Sequence, residues 1–208
     1  MSTSGEDNGK YLKYDLYRYF YSSDSIEEMS FVAKLKTILL TQGIWALVVY
    51  RAGSWCVRTR QKIGIFSKIL LLLLTLCQKF VEITTGIDIP FTAKIGRGLY
   101  IGHFGQIILS TQTIMGECCN LSQGVTIGQA GRGSDQHTPI IGDRVYIGPG
   151  SKVFGKVNIG NDVAIGANAV VTKDLPDNAV AVGIPAKIIN YNSSRDFVNF
   201  NRHKMGLV

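Results

Sequence analysis

Three histidines and four cysteines are the residues of this 208-residue chain with the widest chemical reach. A histidine can take or give a proton at working pH, or bind a metal. His203 stands in a polar tail, where a solvated surface residue is expected. His103 follows Gly102, and His137 stands in a polar, glycine-rich stretch. Taken alone, a histidine beside a corner glycine is a satisfied surface residue. Cys56, Cys77, Cys118 and Cys119 lack the CxxC spacing of a metal site, and the adjacent pair Cys118 and Cys119 makes a poor disulfide framework. Free thiols in a reducing cytosol are expected, with no metal site. Met1 to Lys10 is polar and holds Glu6 and Asp7, unlike a secretory signal, so the expected location is cytoplasmic.

A six-residue beat must position these side chains. Every sixth residue from Ile89 is Ile89, Ile95, Ile101, Ile107, Thr113, Cys119 and Val125; the beat resumes in a new phase as Ile141, Ile147, Val153, Ile159, Ile165 and Val171. All but Thr113 are apolar, and neither a helical period of about 3.6 nor strict alternation has this spacing. Three strands of about six residues make a triangular coil of about 18, its beat residues inward, and coils stack as parallel strands about 4.8 Å apart. Gly, Asn and Asp after many beat positions suit the corners. From Val125 to Ile141 the step is 16 residues where 12 would hold the phase, so Gln129 to Pro139 is expected to leave the prism as a loop.

Upstream the pattern is helical. Tyr11, Tyr14, Tyr17, Phe20 and Tyr21 recur at three- and four-residue steps, predicting a short helix from Lys10 to Tyr21 that buries a tyrosine-rich face. Further helices are expected from Ser30 to about Arg60, broken near Gly43, and from Phe66 to about Thr85. The run Ile69 to Leu74 is too short to span a bilayer, which takes about 20 residues. It is expected to be buried in a core or a subunit interface. No acid stands between Glu28 and Glu82, while Lys34, Lys36, Arg51, Arg58, Arg60, Lys62, Lys68 and Lys79 do. This is also the composition of a peripheral membrane contact, ranked behind an oligomer contact. The net charge of +7 permits anionic partners without choosing among them; nucleic acid has only that charge in its favour. The division read from these patterns is a helical region 1–85, a prism 86–189 with the loop 129–139, and a tail 190–208.

From about Ala46 to Ile189 the chain resembles the hexapeptide-repeat acyltransferases, and within them the serine acetyltransferases. The resemblance is carried by Tyr50-Arg51 with Trp55, Gly86-Ile87-Asp88-Ile89, Ala93-Lys94-Ile95-Gly96-Arg97-Gly98, His103, Val125-Thr126-Ile127-Gly128 and Gly183-Ile184-Pro185-Ala186-Lys187-Ile188. It implies a mainly β fold, a left-handed parallel β-helix preceded by helices. It also implies an O-acetyltransferase that uses acetyl-CoA, with His103 as general base and Asp88, 15 residues earlier and nearly one coil below, as the carboxylate that orients it. By the same resemblance CoA meets Gly148, Pro149, Gly166 and Ala167, with Lys173 and Lys187 as phosphate partners.

Other family positions differ. The Asp that precedes the base in the family is Gly102 here. An ungapped alignment sets His137 on a substrate-binding Arg and Thr138 on the family's second histidine, so His137 is a candidate catalytic residue only if it shifts by one place. The family's N-terminal Asp has only Asp24, Glu27 and Glu28 nearby. The groups that grip serine are thus largely missing, and the expected acceptor is a hydroxyl of a surface polysaccharide or its precursor. Serine itself, in cysteine biosynthesis, is the alternative, and a non-catalytic β-helix scaffold is the reading of another class. A γ-type carbonic anhydrase would need three converging histidines. His103 and the loop leave different corners, so a homotrimer with sites between prisms is expected, with pairing of trimers left open.

Overall fold

The computed structural model describes residues 8–20, 29–131 and 136–198. Four helices come first: α1 (Asn8–Phe20), α2 (Phe31–Leu40), α3 (Gln42–Ile63) and α4 (Ile65–Thr85). Ser30 caps α2 by accepting from the Ala33 N–H, which satisfies one of the amides that a helix start leaves orphaned. The break expected near Gly43 falls at Thr41, whose backbone is extended. Gly43 lies inside α3 instead, where a Cβ would stand 2.7 Å from the Ile101 carbonyl. Its role is close approach of helix to prism. α4 ends at Gly86, left-handed at φ 69°, whose N–H returns to Glu82 O.

The chain then winds into a three-sided parallel prism. The first face stacks β1 (Ile87–Asp88), β4 (Ile107–Leu109), β7 (Thr126–Gly128), β10 (Lys152–Phe154) and β13 (Val170–Val171). The second stacks β2 (Lys94–Ile95), β5 (Ile114–Met115), β8 (Ile140–Ile141) and β11 (Asn158–Ile159). The third stacks β3 (Tyr100–Ile101), β6 (Asn120–Leu121), β9 (Tyr146–Ile147), β12 (Ala164–Ile165) and β14 (Val180–Val182). An antiparallel β15 (Lys187–Asn190) closes the third face against β14. Ile101, Ile107, Leu121, Ile127, Ile147 and Ile165 fill the axis without solvent contact.

The first coil departs from the expected length. Leu109 pairs with Ile127, a coil of 18, whereas Ile87 pairs with Ile107 and Ile101 with Leu121, a coil of 20. The two extra residues sit in the corner between Ile101 and Ile107, which contains His103. Periodicity hid them because each side buries two positions two residues apart, as at Ile107 and Leu109. A slip of two moves the beat from one buried position to the other.

Polar groups dock α1. Asp15 and Arg18 are its buried residues, while Tyr11, Tyr14, Tyr17 and Tyr19 are half-buried, so the tyrosine face is not the most buried part of the helix. The reason lies in what α1 meets. Prism corners present backbone polar groups, and a buried polar group must be paired. Arg51 on α3 donates to Ile95 O and Gly96 O and binds Asp15 twice, at 2.7 and 3.1 Å. Asp15 also accepts from the Leu99 N–H. Arg18 donates to Gly98 O, Cys118 O and Asn120 Oδ1, and Tyr50 donates to Ala93 O. Arg51 is therefore a core residue, not one of the surface cations the sequence pattern suggested.

The run Ile69 to Leu74 is not buried within the single chain: Ile69, Leu72 and Leu73 are more than half exposed. Beyond the prism, Phe197 stacks on Tyr146 at 4.6 Å and its carbonyl accepts from Asn120 Nδ2, so the described part of the tail lies on the third face. The four cysteines are free; burial pushes Cys118 up to about 11 and Cys119 up to about 12, leaving both protonated at neutral pH. Asp24, Glu27, Glu28 and His203 lie outside the described residues.

Candidate active site

The edge where the third face turns into the first carries most of the singled-out residues. His103 and Phe104 are exposed there, in the enlarged corner between β3 and β4. Backbone hydrogen bonds stack the corners above it: Gly124 N–H to Gly105 O, Gly150 N–H to Gln123 O and Asn168 N–H to Pro149 O. At about 4.8 Å per coil, Gly148 and Pro149 stand roughly 10 Å up the edge from His103, and Gly166 and Ala167 roughly 14 Å. The turn Gly183 to Ala186 caps the same edge, since Val170 N–H donates to Gly183 O and Ala186 N–H to Val170 O; exposed Lys187 follows it. The edge is thus a column of turn backbone with a histidine at one end and a cation at the other.

Asp88 lies beside the lower end of this edge, on β1, paired in register with Ile108 of β4. It is half-buried, and its carboxylate accepts from Gln78 Nε2 of α4 at 3.5 Å, while the same Nε2 donates to Ile89 O at 3.0 Å. Among the described residues the hydrogen bond to Asp88 comes from Gln78, not from His103. Burial raises the Asp88 carboxyl above the usual carboxylate range; Glu82 raises it further, and Lys79 and Gln78 oppose the shift. Gln78 was missed by sequence reasoning. Its signal was the one amide of α4, ten residues before Asp88.

Lys152 was also passed over. On the first face its ammonium donates to Gly124 O at 2.6 Å and to Thr126 Oγ1 at 2.9 Å, so it pins the corner directly above the histidine's. Below these corners Gly86 matters sterically: a Cβ on it would stand 2.8 Å from Gln106 N, in the corner that carries His103.

His137 and Lys173 belong to the next edge, where the first face turns into the second. Met115 pairs with Ile141, 26 residues on, so the third coil carries eight residues more than a regular one. They leave between β7 and β8, and Ala130 and His137 exchange backbone hydrogen bonds of 3.1 and 3.0 Å at the base of the excursion. Thr138 Oγ1 lies 3.4 Å from Ser110 Oγ. Lys173 is exposed above, between β13 and Leu175. Within one chain the structure gathers His103, Gly148, Pro149, Gly166, Ala167 and Lys187 along one edge and sets His137 and Lys173 on another. Among the described residues no group of three His, Cys, Asp or Glu side chains could hold a metal ion.

Residues 138–173 match the model for the bacterial transferase hexapeptide (six repeats). A Helicobacter pylori serine acetyltransferase is 36% identical over 75% of this chain and 86% of its own length. The chain belongs to the serine acetyltransferase family. A Synechococcus elongatus family member is 34% identical over 74% of this chain, which spans only 60% of that relative's length. In three dimensions the Neisseria gonorrhoeae member superposes with TM-score 0.73 and 26% identity, covering 94% of this chain and 72% of that one. A serine acetyltransferase in complex with CoA gives 0.67 and 26%, covering 89% and 71%. The prism is therefore the left-handed parallel β-helix of this family of O-acetyltransferases, preceded by helices, as the resemblance implied.

Proposed function

We propose that this protein is an acetyl-CoA-dependent serine O-acetyltransferase. The observation that carries the reading is the single edge on which His103 stands below the Gly148-Pro149 and Gly166-Ala167 turns. Bound along that edge, acetyl-CoA supplies an activated thioester; the turn backbones meet its extended arm and Lys187 its phosphates. His103 removes the proton from the acceptor hydroxyl, the oxygen attacks the acetyl carbonyl, the carbon–sulfur bond breaks, and the proton passes from His103 to the leaving thiolate. Asp88, ionised, favours the charged imidazolium. In a homotrimer the edge with His137 and Lys173 faces the His103 edge of a neighbour, which offers both residues to a shared site.

A second reading keeps the chemistry and changes the acceptor to a saccharide hydroxyl. Gly102 and Thr138 favour it, because they stand where the family resemblance places an Asp and a His. Thiol release measured with L-serine against a panel of sugars separates the two. Turnover with serine is expected; turnover with sugars alone would replace the first reading by the second. His103→Ala should lower kcat by about 10² to 10⁴, with CoA binding retained in calorimetry. An unchanged kcat would remove His103 from the mechanism.

A further inference from the structure

α4 carries an apolar stripe along its whole length that the described chain leaves uncovered. Ile65, Ile69, Leu72, Leu76, Phe80 and Ile83 recur at three- and four-residue steps, so they share one face of a helix about 30 Å long. All six are more than half exposed, from Ile69 at 57% to Ile83 at 76%. The opposite side of the helix supplies buried Ser67, Val81 and Thr85, and packs on α3 and β1. The core contacts of α4 are thus already made, and the stripe is surplus to them.

Charge indicates what covers it. No acid stands between Glu28 and Glu82, and with Arg51 buried in the core the cations beside the stripe on α4 are Lys68 and Lys79. Lys68 and Lys79, both exposed, are eleven positions apart, about three helical turns, and so flank the same side of the stripe next to Leu72. Lys79 is paired with Glu82 on the surface, an arrangement worth little in water, which leaves its ammonium accessible to a stronger anion. A lipid surface matches both features: acyl chains take the stripe, and anionic headgroups take the lysines that reach outward beside it. α2 repeats the arrangement, with Phe31, Val32 and Leu40 exposed along with Lys36. Among the described residues no single helix is long and apolar enough to cross a membrane, and the one bent pair with that composition, Phe31–Leu40 with Gln42–Thr59, does not include α4, whose stripe is suited to lying on the surface.

We propose that α4 docks this protein on an anionic membrane surface through the Ile65 to Ile83 stripe and the lysines beside it. Flotation of the full chain with phosphatidylcholine vesicles, with and without phosphatidylglycerol, tests this. Binding is expected with the anionic vesicles only, loosening as salt rises. Lys68→Gln and Lys79→Gln should each weaken partition about fivefold, and Leu72→Asp with Leu76→Asp should abolish it, with the far-UV spectrum unchanged in all variants. Failure to float with anionic vesicles, or equal flotation with neutral ones, would overturn the proposal. So would a smaller assembly mass for the Leu72→Asp, Leu76→Asp variant, which would assign the stripe to a second copy of the chain.

Discussion

Asp88 is a carboxylate held partly out of water with a second acid, Glu82, close enough to raise its proton affinity further. To favour an imidazolium on His103 it must be ionised, so its protonation contributes to the acid limb of the activity profile from above the ordinary carboxylate range, together with protonation of the base itself. Glu82→Gln removes a like charge, lowers the Asp88 carboxyl, and should move that limb to lower pH while the alkaline limb stays in place. A profile of kcat/KM against pH checks this; an acid limb that stays put or moves upward would exclude Asp88 as its source. At this scale the sequence pointed to Asp88 and His103 through family resemblance alone. It did not reveal Gln78, because a contact from helix to prism has no spacing signature.

At the scale of elements, the docking of α1 rests on a buried charge pair. Arg51→Ala leaves the Asp15 carboxylate buried with backbone N–H donors alone, and should cost about 3–5 kcal/mol, the usual penalty of breaking a buried pair. Asp15→Ala should cost less, because Arg51 keeps the carbonyls of Ile95 and Gly96. Denaturant titration of both variants gives the order. The passage from α4 to β1 is a second critical joint. Gly86→Ala puts a side chain in the left-handed region, at about 1–2 kcal/mol, and drives its Cβ against Gln106 N. A loss of stability together with a lower kcat is expected, since the same corner carries His103. Gly64→Ala is the control: φ is 65° and nothing lies within 4 Å of the added carbon, so activity should hold while stability falls. The four helices and the stacked strands were legible in their periods. The choice of α1's buried residues was not, because tyrosines at helical spacing suggest an apolar face, whereas the prism corners demanded charge and hydrogen bonds.

For the whole molecule, the arrangement of edges ties the proposed site to assembly. His103 and His137 stand on different edges of one rigid prism, so a site that uses both needs two prisms. Sedimentation equilibrium should find three copies of the 22.8 kDa chain, or a multiple of three. A monomer with full activity would remove His137 and Lys173 from the site.

What the sequence determined by itself was the prism, because an apolar residue every sixth place admits one way of burying all of them, and the excursion before Ile141, because a break in that beat must be carried outside the ladder. Tertiary structure decided the rest. The two extra residues beside His103 were invisible, since a two-residue slip exchanges one inward position for another. The stacking of His103 under the Gly148 and Gly166 turns depends on which corner each residue reaches, which only the strand register fixes. The fate of the Ile69 to Leu74 run was settled by which side of α4 packs on α3 and β1: burial of Ser67, Val81 and Thr85 there turns the apolar side outward.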